Sequence, residues 1–248
     1  MANKTVSENL AIAFFKQFGF QVEEVPVAEE KRADLFAYDS KSGYLIEVKE
    51  KDDTGQHSIF SEVELPSGKK VTYRSDAHQR LWRFENILKH GRDQLIATPN
   101  HEQYFKIIFF HFDGPNSDVL DRRLAYTFYG VANLISRYDE GESVNCVYFD
   151  YSAAYSLPEI NGLMISDAGD LRLAINEFSP NANEFRKSSL VKKFGNAVYD
   201  PMLFEADKST IVLRSDIPRK DENLVLEAVR QQTGIEYLRV VLDRYTFG

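Results

Sequence analysis

Apolar positions in the first half of the chain follow two spacings, which predict one helix and then several strands. Between residues 7 and 18 they recur every three or four positions, the period of an amphipathic helix, with Ser7 as a candidate N-cap. The following segments read as three short strands in an antiparallel meander, and a later, nearly continuous apolar run reads as a buried central strand. These predicted strands lie at 20–25, 32–38, 44–49 and 104–112.

The segments between and after these strands complete a predicted α/β core. A hairpin insertion at about 52–75 interrupts it, and a long helix at 76–97 follows. A second helix is predicted at 121–138, and a strand at 144–149 would close the sheet.

Residues 151–248 carry a less regular pattern, which predicts a C-terminal α+β elaboration packed on a core formed by residues 1–150. Target recognition and dimerisation are both open as its role. Its predicted elements are strands at 163–166, 171–175, 211–214 and 237–242 and a helix at 221–233.

Two carboxylates and a lysine stand out within the meander. Glu47 and Lys49 are two residues apart at the end of an apolar strand, so their side chains point to the same face. Asp34 lies on the preceding strand, where a hairpin would bring it beside Glu47. A Glu-x-Lys triplet alone is more often a solvated strand face, but the preceding carboxylate and the buried character of the strand favour a site. Two hard oxygen ligands with a cation alongside suit Mg²⁺.

This pattern resembles the PD-(D/E)XK nuclease superfamily, in which an Asp and then an acidic-x-Lys element on the next strand carry the chemistry. Asp34 matches the first position, and Glu47-Val48-Lys49 matches the second. The residue before Asp34 is Ala33, where the family often has proline. The resemblance covers roughly residues 7–112 and implies a restriction-endonuclease-like core, with a mixed central sheet flanked by helices.

The resemblance also implies roles for individual residues. Asp34, Glu47 and the Val48 carbonyl would bind Mg²⁺, for which Mn²⁺ would substitute, and Lys49 would assist the attack on phosphorus. Glu8, on the first helix, would bind a second metal. The expected activity is hydrolysis of phosphodiester bonds by an endonuclease or exonuclease. DNA is favoured over RNA, in restriction, repair or anti-phage defence.

Basic side chains concentrate after the candidate catalytic strand, and we expect them to contact the nucleic acid. The helix that follows the lysine-bearing strand often lends a polar residue to the site in this family, a role for which Gln79 is positioned and Gln94 is a second candidate. A solvated cationic helix face is the alternative interpretation. The predicted nucleic-acid contacts are Lys69, Lys70, Arg74, Gln79, Arg80 and Arg83.

Composition limits the function classes. The net charge of −8 argues against a protein that simply coats nucleic acid, and it implies salt-sensitive binding or help from a partner protein or second copy. No apolar run reaches membrane-spanning length, and the N-terminus lacks an apolar signal region, so we expect a cytoplasmic protein without a membrane partner. The single cysteine, Cys146, is expected in the core.

Two alternatives remain at the level of sequence. The chain could be a non-catalytic subunit that keeps a nuclease fold for binding or assembly, a role that the acidic balance favours. The motif could also be accidental. The complete set of Asp34, Glu47 and Lys49 argues against a decayed enzyme.

Overall fold

A computed structural model of the chain describes residues 4–26, 32–52, 60–64, 70–74, 81–136, 143–167, 170–206 and 210–240. Contacts divide the chain into two compact units, and each unit is assembled from three stretches of sequence. Unit 1 comprises Met1–Asp52, Trp82–Asp113 and Ala153–Pro201, whereas unit 2 comprises Asp53–Leu81, Gly114–Ser152 and Met202–Gly248. This division differs from the predicted boundary at residue 150.

The helices of the described residues agree with the sequence pattern in most places. Two single turns of 3-10 helix occur as well, at His101–Gln103 and Gly195–Ala197. The α-helices are α1 (Val6–Gln17), α2 (Trp82–Ala97), α3 (Ser117–Tyr129), α4 (Ala153–Ser156), α5 (Ala182–Arg186), α6 (Ser189–Phe194), α7 (Pro201–Phe204) and α8 (Glu222–Thr233).

The strands form three sheets among the described residues. Unit 1 holds a mixed seven-stranded sheet, and unit 2 holds a four-stranded sheet and a two-stranded hairpin. The strands are β1 (Gln21–Glu24), β2 (Leu35–Tyr38), β3 (Gly43–Asp52), β4 (Phe60–Glu64), β5 (Lys70–Arg74), β6 (Phe105–Asp113), β7 (Ala132–Ser136), β8 (Ser143–Val147), β9 (Gly162–Ser166), β10 (Leu171–Ile175), β11 (Val198–Tyr199), β12 (Thr210–Val212) and β13 (Leu238–Val240).

The large sheet of unit 1 confirms the predicted meander and central strand. Its order is β1-β2-β3-β6-β9-β10-β11, with β1, β2 and β3 antiparallel. β6 pairs in parallel with β3 on one side and with β9 on the other, which matches its nearly continuous apolar sequence. Helices flank both faces, so unit 1 is an α/β fold. The sheet is completed by β9, β10 and β11, which come from the segment predicted to be a separate elaboration.

Helices α1 and α2 lie on opposite faces of this sheet. Ala11 and Phe15 of α1 belong to a buried cluster with Tyr44 of β3, which α5 and α6 also join. On the other face the buried ring of Phe84 in α2 makes edge contacts with the Phe110 and Phe112 rings of β6. The alternation along β3 therefore directs Tyr44, Ile46 and Val48 toward α1 and leaves Leu45, Glu47 and Lys49 for the α2 face.

Helix α1 begins two residues earlier than the predicted N-cap at Ser7 implies. Thr5 is the N-cap: its hydroxyl accepts a hydrogen bond from the Glu8 N–H, and the Glu8 carboxylate accepts one from the Thr5 N–H, which is a capping box. Ser7 instead lies in the first turn, where its hydroxyl donates to Glu50 Oε2 at 2.6 Å.

Unit 2 contains the two clear departures from the sequence prediction. The predicted helix at 121–138 ends at Tyr129, because Gly130 adopts a left-handed conformation (φ 60°) as its C-cap. The apolar residues beyond it form strand β7. β7 pairs with β8 in a sheet of order β12-β8-β7-β13, so the strand predicted at 144–149 does not join the sheet of unit 1.

The structure also tests the expected burial of two single residues, Cys146 and Trp82. Cys146 is fully buried in the core that α8 covers, as predicted. For Trp82 the sequence alone favours a core anchor over a residue that stacks on a nucleic-acid base, but the side chain is 68% exposed at the start of α2. No helix among the described residues is long and apolar enough to cross a membrane.

Candidate active site

Asp34 and Glu47 meet at the end of the β2–β3 ladder. Leu35 pairs with Ile46, so Asp34 follows as the next residue opposite Glu47. The Asp34 N–H donates to the Ile46 carbonyl at 3.0 Å. The Val48 N–H then donates to Asp34 Oδ2 at 2.7 Å, so the Asp34 side chain continues the ladder where the β2 backbone stops. This bond holds the carboxylate against β3.

Lys49 completes the group on the same face. Its Nζ donates to Glu47 Oε1 at 2.5 Å and to Gln94 Oε1 at 2.8 Å. Gln94 belongs to α2, so the lysine is held between the strand that carries it and the helix that packs above it. The predicted trio of Asp34, Glu47 and Lys49 is thus brought together, and Gln94 occupies the role for which Gln79 was the first candidate.

Glu47 lies in surroundings that oppose its charge. Its side chain is 1% exposed, and Oε2 receives no hydrogen bond from any donor within the described ranges. Burial, and then the Asp34 carboxylate, raise the pKa of Glu47 to about 8, although Lys49 acts in the opposite direction. A hydrogen bond between the Glu47 and Asp34 side chains also contributes to the raised pKa of Glu47.

Asp34 is subject to the same forces more weakly. Burial raises its pKa above the ordinary value, the Val48 N–H and the Lys49 ammonium oppose this rise, and the Glu8 carboxylate adds to it. Glu8 therefore acts electrostatically on Asp34, and its effect does not extend to Glu47. Its own carboxylate accepts the hydrogen bond from the Thr5 N–H at 2.7 Å, so it has a structural role at the start of α1.

Close packing of α2 on the sheet depends on Gly91. A Cβ atom at this position would lie 2.9 Å from Ile108 Cδ1 and 3.6 Å from Glu47 Cγ. The sequence predicts a dent in the helix at Gly91, but α2 runs through this position, where the absence of a side chain lets it approach β3 and β6 near Glu47. Gln94 is carried to Lys49 by the next turn of the same helix.

The residues present fit a hard divalent cation. A buried carboxylate oxygen without a donor, beside a second carboxylate, is costly unless a cation or proton neutralises it. Within the described ranges no three His, Cys, Asp or Glu side chains are grouped to hold a metal ion. Mg²⁺ is commonly bound by one or two carboxylates, with water and substrate phosphate as its other ligands, and Asp34 with Glu47 meets that requirement. The Val48 carbonyl and Glu8 remain predicted ligands.

The predicted nucleic-acid contacts are largely not described at the level of side chains. Lys69, Gln79 and Arg80 lie outside the described residues, while Lys70 and Arg74 are known only as backbone positions of β5. Arg83 is in the first turn of α2, where its guanidinium lies 5.4 Å from the centre of the Phe84 ring. Eleven residues separate Arg83 from Gln94, or about 16 Å along the helix axis.

Sequence reasoning missed Thr98. This residue directly follows α2 and is 5% exposed. Its hydroxyl donates to the Gln94 carbonyl at 3.0 Å and accepts from the Ala33 N–H at 2.9 Å. The spacing of four residues from Gln94 was visible in the sequence, but the partner, Ala33, is 65 residues away.

Comparison of the chain with family models, with curated proteins and with solved structures found no match. The class of this chain therefore rests on its own residues, which define an α/β unit with a buried Glu47, a half-buried Asp34 and a lysine at the end of a strand ladder.

Proposed function

We propose that unit 1 is a metal-dependent nuclease that hydrolyses phosphodiester bonds, with DNA as the favoured substrate. One observation carries the proposal: a fully buried Glu47 carboxyl lies beside Asp34 with one oxygen that no described donor satisfies. A stable fold gains nothing from two carboxyl groups in this position, whereas a bound cation would make both favourable.

The resemblance to the PD-(D/E)XK superfamily supports the same proposal. Unit 1 has the order helix, three-stranded antiparallel meander, helix and parallel strand. Asp34 directly precedes β2, Glu47 and Lys49 lie on β3, and all three match the motif positions in sequence; a restriction-endonuclease-like fold is part of what we propose.

Each residue would have a defined task. Asp34 and Glu47 would bind Mg²⁺ or Mn²⁺ through their carboxylate oxygens. When bound, the cation would polarise the scissile phosphate and lower the pKa of a water molecule. Lys49 offers its third N–H to a water or to a phosphate oxygen, since Glu47 and Gln94 accept the other two. Gln94 aims the ammonium, which stabilises negative charge that develops on phosphorus.

The test is cleavage of linear, circular and single-stranded DNA and of RNA, with chelator, Mg²⁺ or Mn²⁺. Activity should require the metal, and Lys49→Gln should lower the rate at least about 100-fold, the usual loss on removing one preorganised donor. Lys106→Gln is the matched control. Lys106, on the adjacent strand β6, is also a largely buried lysine, but its Nζ donates to the Tyr104 carbonyl at 3.4 Å and not to a residue of the candidate site.

Equal loss in both lysine variants would mean that removal of any buried lysine disturbs the sheet. Absence of cleavage by folded wild-type protein on every substrate, with every metal, would support the non-catalytic binding or assembly subunit instead.

A further inference from the structure

Thr98 connects the helix of the candidate site to the strand that carries its first carboxylate. Its hydroxyl is both a hydrogen-bond donor and an acceptor: it donates to the Gln94 carbonyl at 3.0 Å and accepts from the Ala33 N–H at 2.9 Å. Ala33 immediately precedes Asp34. A single buried side chain therefore contacts the backbone of α2 and the backbone that leads into the acidic pair.

The bond to Ala33 matters because the strand ladder does not satisfy this amide. The described ladder of β2 with β3 ends at Leu35 and Ile46, and the Asp34 N–H makes one further bond to β3. The next amide, that of Ala33, is buried and is satisfied by Thr98. Without the hydroxyl, this donor would lose its partner in a buried position, and the chain before Asp34 would have to shift.

These bonds close a ring around the site. Asp34 Oδ2 binds the Val48 N–H, and Lys49 Nζ, on the following residue, binds Gln94 Oε1. The Gln94 carbonyl then binds Thr98, which returns to Ala33 and so to Asp34. Displacement of any member changes the separation between the carboxylate and the ammonium.

We propose that Thr98 is a positioning residue, which fixes Asp34 and, through Gln94, Lys49 in one geometry for metal and phosphate. The inference rests on the proposed nuclease function. It assigns a role to a residue that touches neither substrate nor metal, and partners of this kind usually change metal affinity or activity by about 10- to 100-fold when they are lost.

The chain provides a matched control in Thr127. This residue is fully buried in α3, and its hydroxyl makes the same two kinds of bond, donating to the Arg123 carbonyl at 2.7 Å and accepting from the Leu81 N–H at 3.1 Å. Arg123, Thr127 and Leu81 all belong to unit 2. Thr127→Val therefore reproduces the structural cost of losing such a hydroxyl without touching the ring.

The experiment compares Thr98→Val, Thr98→Ala, Thr98→Ser and Thr127→Val. Mn²⁺ affinity is measured by calorimetry with the metal alone, cleavage rate with DNA, and folding by urea titration. Both variants without the Thr98 hydroxyl should bind Mn²⁺ about tenfold more weakly or worse and should cleave correspondingly slowly. Thr98→Ser should retain both properties, and Thr127→Val should lose stability while keeping wild-type Mn²⁺ affinity.

Amide hydrogen exchange of Ala33 in metal-free protein provides a second readout, and it separates this inference from the proposed function. If Ala33 exchanges faster in Thr98→Val but Mn²⁺ affinity and cleavage are unchanged, the positioning role is wrong while the nuclease remains. The same holds if Thr127→Val weakens Mn²⁺ binding equally. If the wild type neither binds Mn²⁺ nor cleaves, the proposed function fails, and unchanged Ala33 exchange in Thr98→Val would also refute the bond itself.

Discussion

Replacing Glu47 by Gln tests whether this buried carboxyl is retained for a cation. Gln has nearly the same volume, so the change removes the titratable charge without opening a cavity in β3. Burial and the Asp34 carboxylate raise the pKa of Glu47 from 4.5 to about 8. The folded protein therefore holds a proton over a pH range in which the unfolded chain has released it.

The sign of the effect follows from this raised pKa. Without metal, the contribution of Glu47 to stability is complete below pH 4.5 and is lost as the pH rises to about 8. The slope is about 1.4 kcal/mol per pH unit, so the loss is on the order of 3 kcal/mol between pH 5.5 and 8.5. Glu47→Gln lacks this loss.

The assay is urea unfolding, followed by circular dichroism, at several pH values with chelator present. The free energy of unfolding of Glu47→Gln relative to wild type should rise by about 3 kcal/mol from pH 5.5 to 8.5. Saturating Mn²⁺ should reverse the ranking at high pH, since a ligand at 100 times its Kd stabilises the protein that binds it by about 2.7 kcal/mol. The variant should gain little from the metal.

The control is Asp200→Asn. Asp200 is also buried, but Arg186 satisfies both of its oxygens, at 2.8 and 2.9 Å. Its substitution should lower stability and leave the response to Mn²⁺ unchanged. A difference between Glu47→Gln and wild type that stays constant from pH 5.5 to 8.5 would refute the reasoning, because Glu47 would then be ionised as the permanent ion-pair partner of Lys49.

Two further predictions concern the approach of helix α2 to the sheet and the basic residues Arg80 and Arg83. Gly91→Ala should reduce cleavage at least about tenfold by lifting α2 off the sheet, and Ile108→Val in the same chain should restore it, since this removes the methyl group 2.9 Å from the added Cβ. Replacing Arg80 and Arg83 by Ala should weaken DNA binding and flatten its salt dependence in a filter-binding titration, without altering Mn²⁺ affinity. Lys192→Ala, at an exposed position of α6, is the control, and an equal effect there would contradict a specific contribution of Arg80 and Arg83 to DNA binding.

The parts of the site that sequence could predict depend on local periodicity. Strand alternation alone puts Glu47 and Lys49 on one face, and a short hairpin brings the preceding strand back beside them. The meander, the central strand β6 and the proximity of Asp34 to Glu47 follow from these rules. A side chain that is 1% exposed also contributes to packing, so Gln is a better substitution for Glu47 than Ala.

The prediction of one helix over residues 121–138 was wrong because its apolar pattern is compatible with two kinds of secondary structure. Residues 131–136 carry apolar side chains that fit a helix continuing from α3 and fit a strand equally well. Gly130 decides between them, because its left-handed conformation ends the helix and releases the chain into β7. The interleaving of the two units has no local signal at all, since it depends on which distant strands pair.

The geometry of the site follows from one difference in strand length. β2 ends its pairing at Leu35, but β3 continues to Asp52, so the β3 edge beyond Ile46 offers backbone groups to something other than a β2 backbone. The Asp34 carboxylate accepts a hydrogen bond from the Val48 N–H there. This bond fixes beside Glu47 a side chain that would otherwise face solvent. A shift of one residue in the β2–β3 register would send Asp34 to the α1 face and separate the pair. The contacts that oppose this shift come from Gln94 of α2, 45 residues beyond Lys49, and from Thr98 directly after α2, 65 residues beyond Ala33. The motif could therefore be recognised in the sequence, whereas the contacts that support it could not.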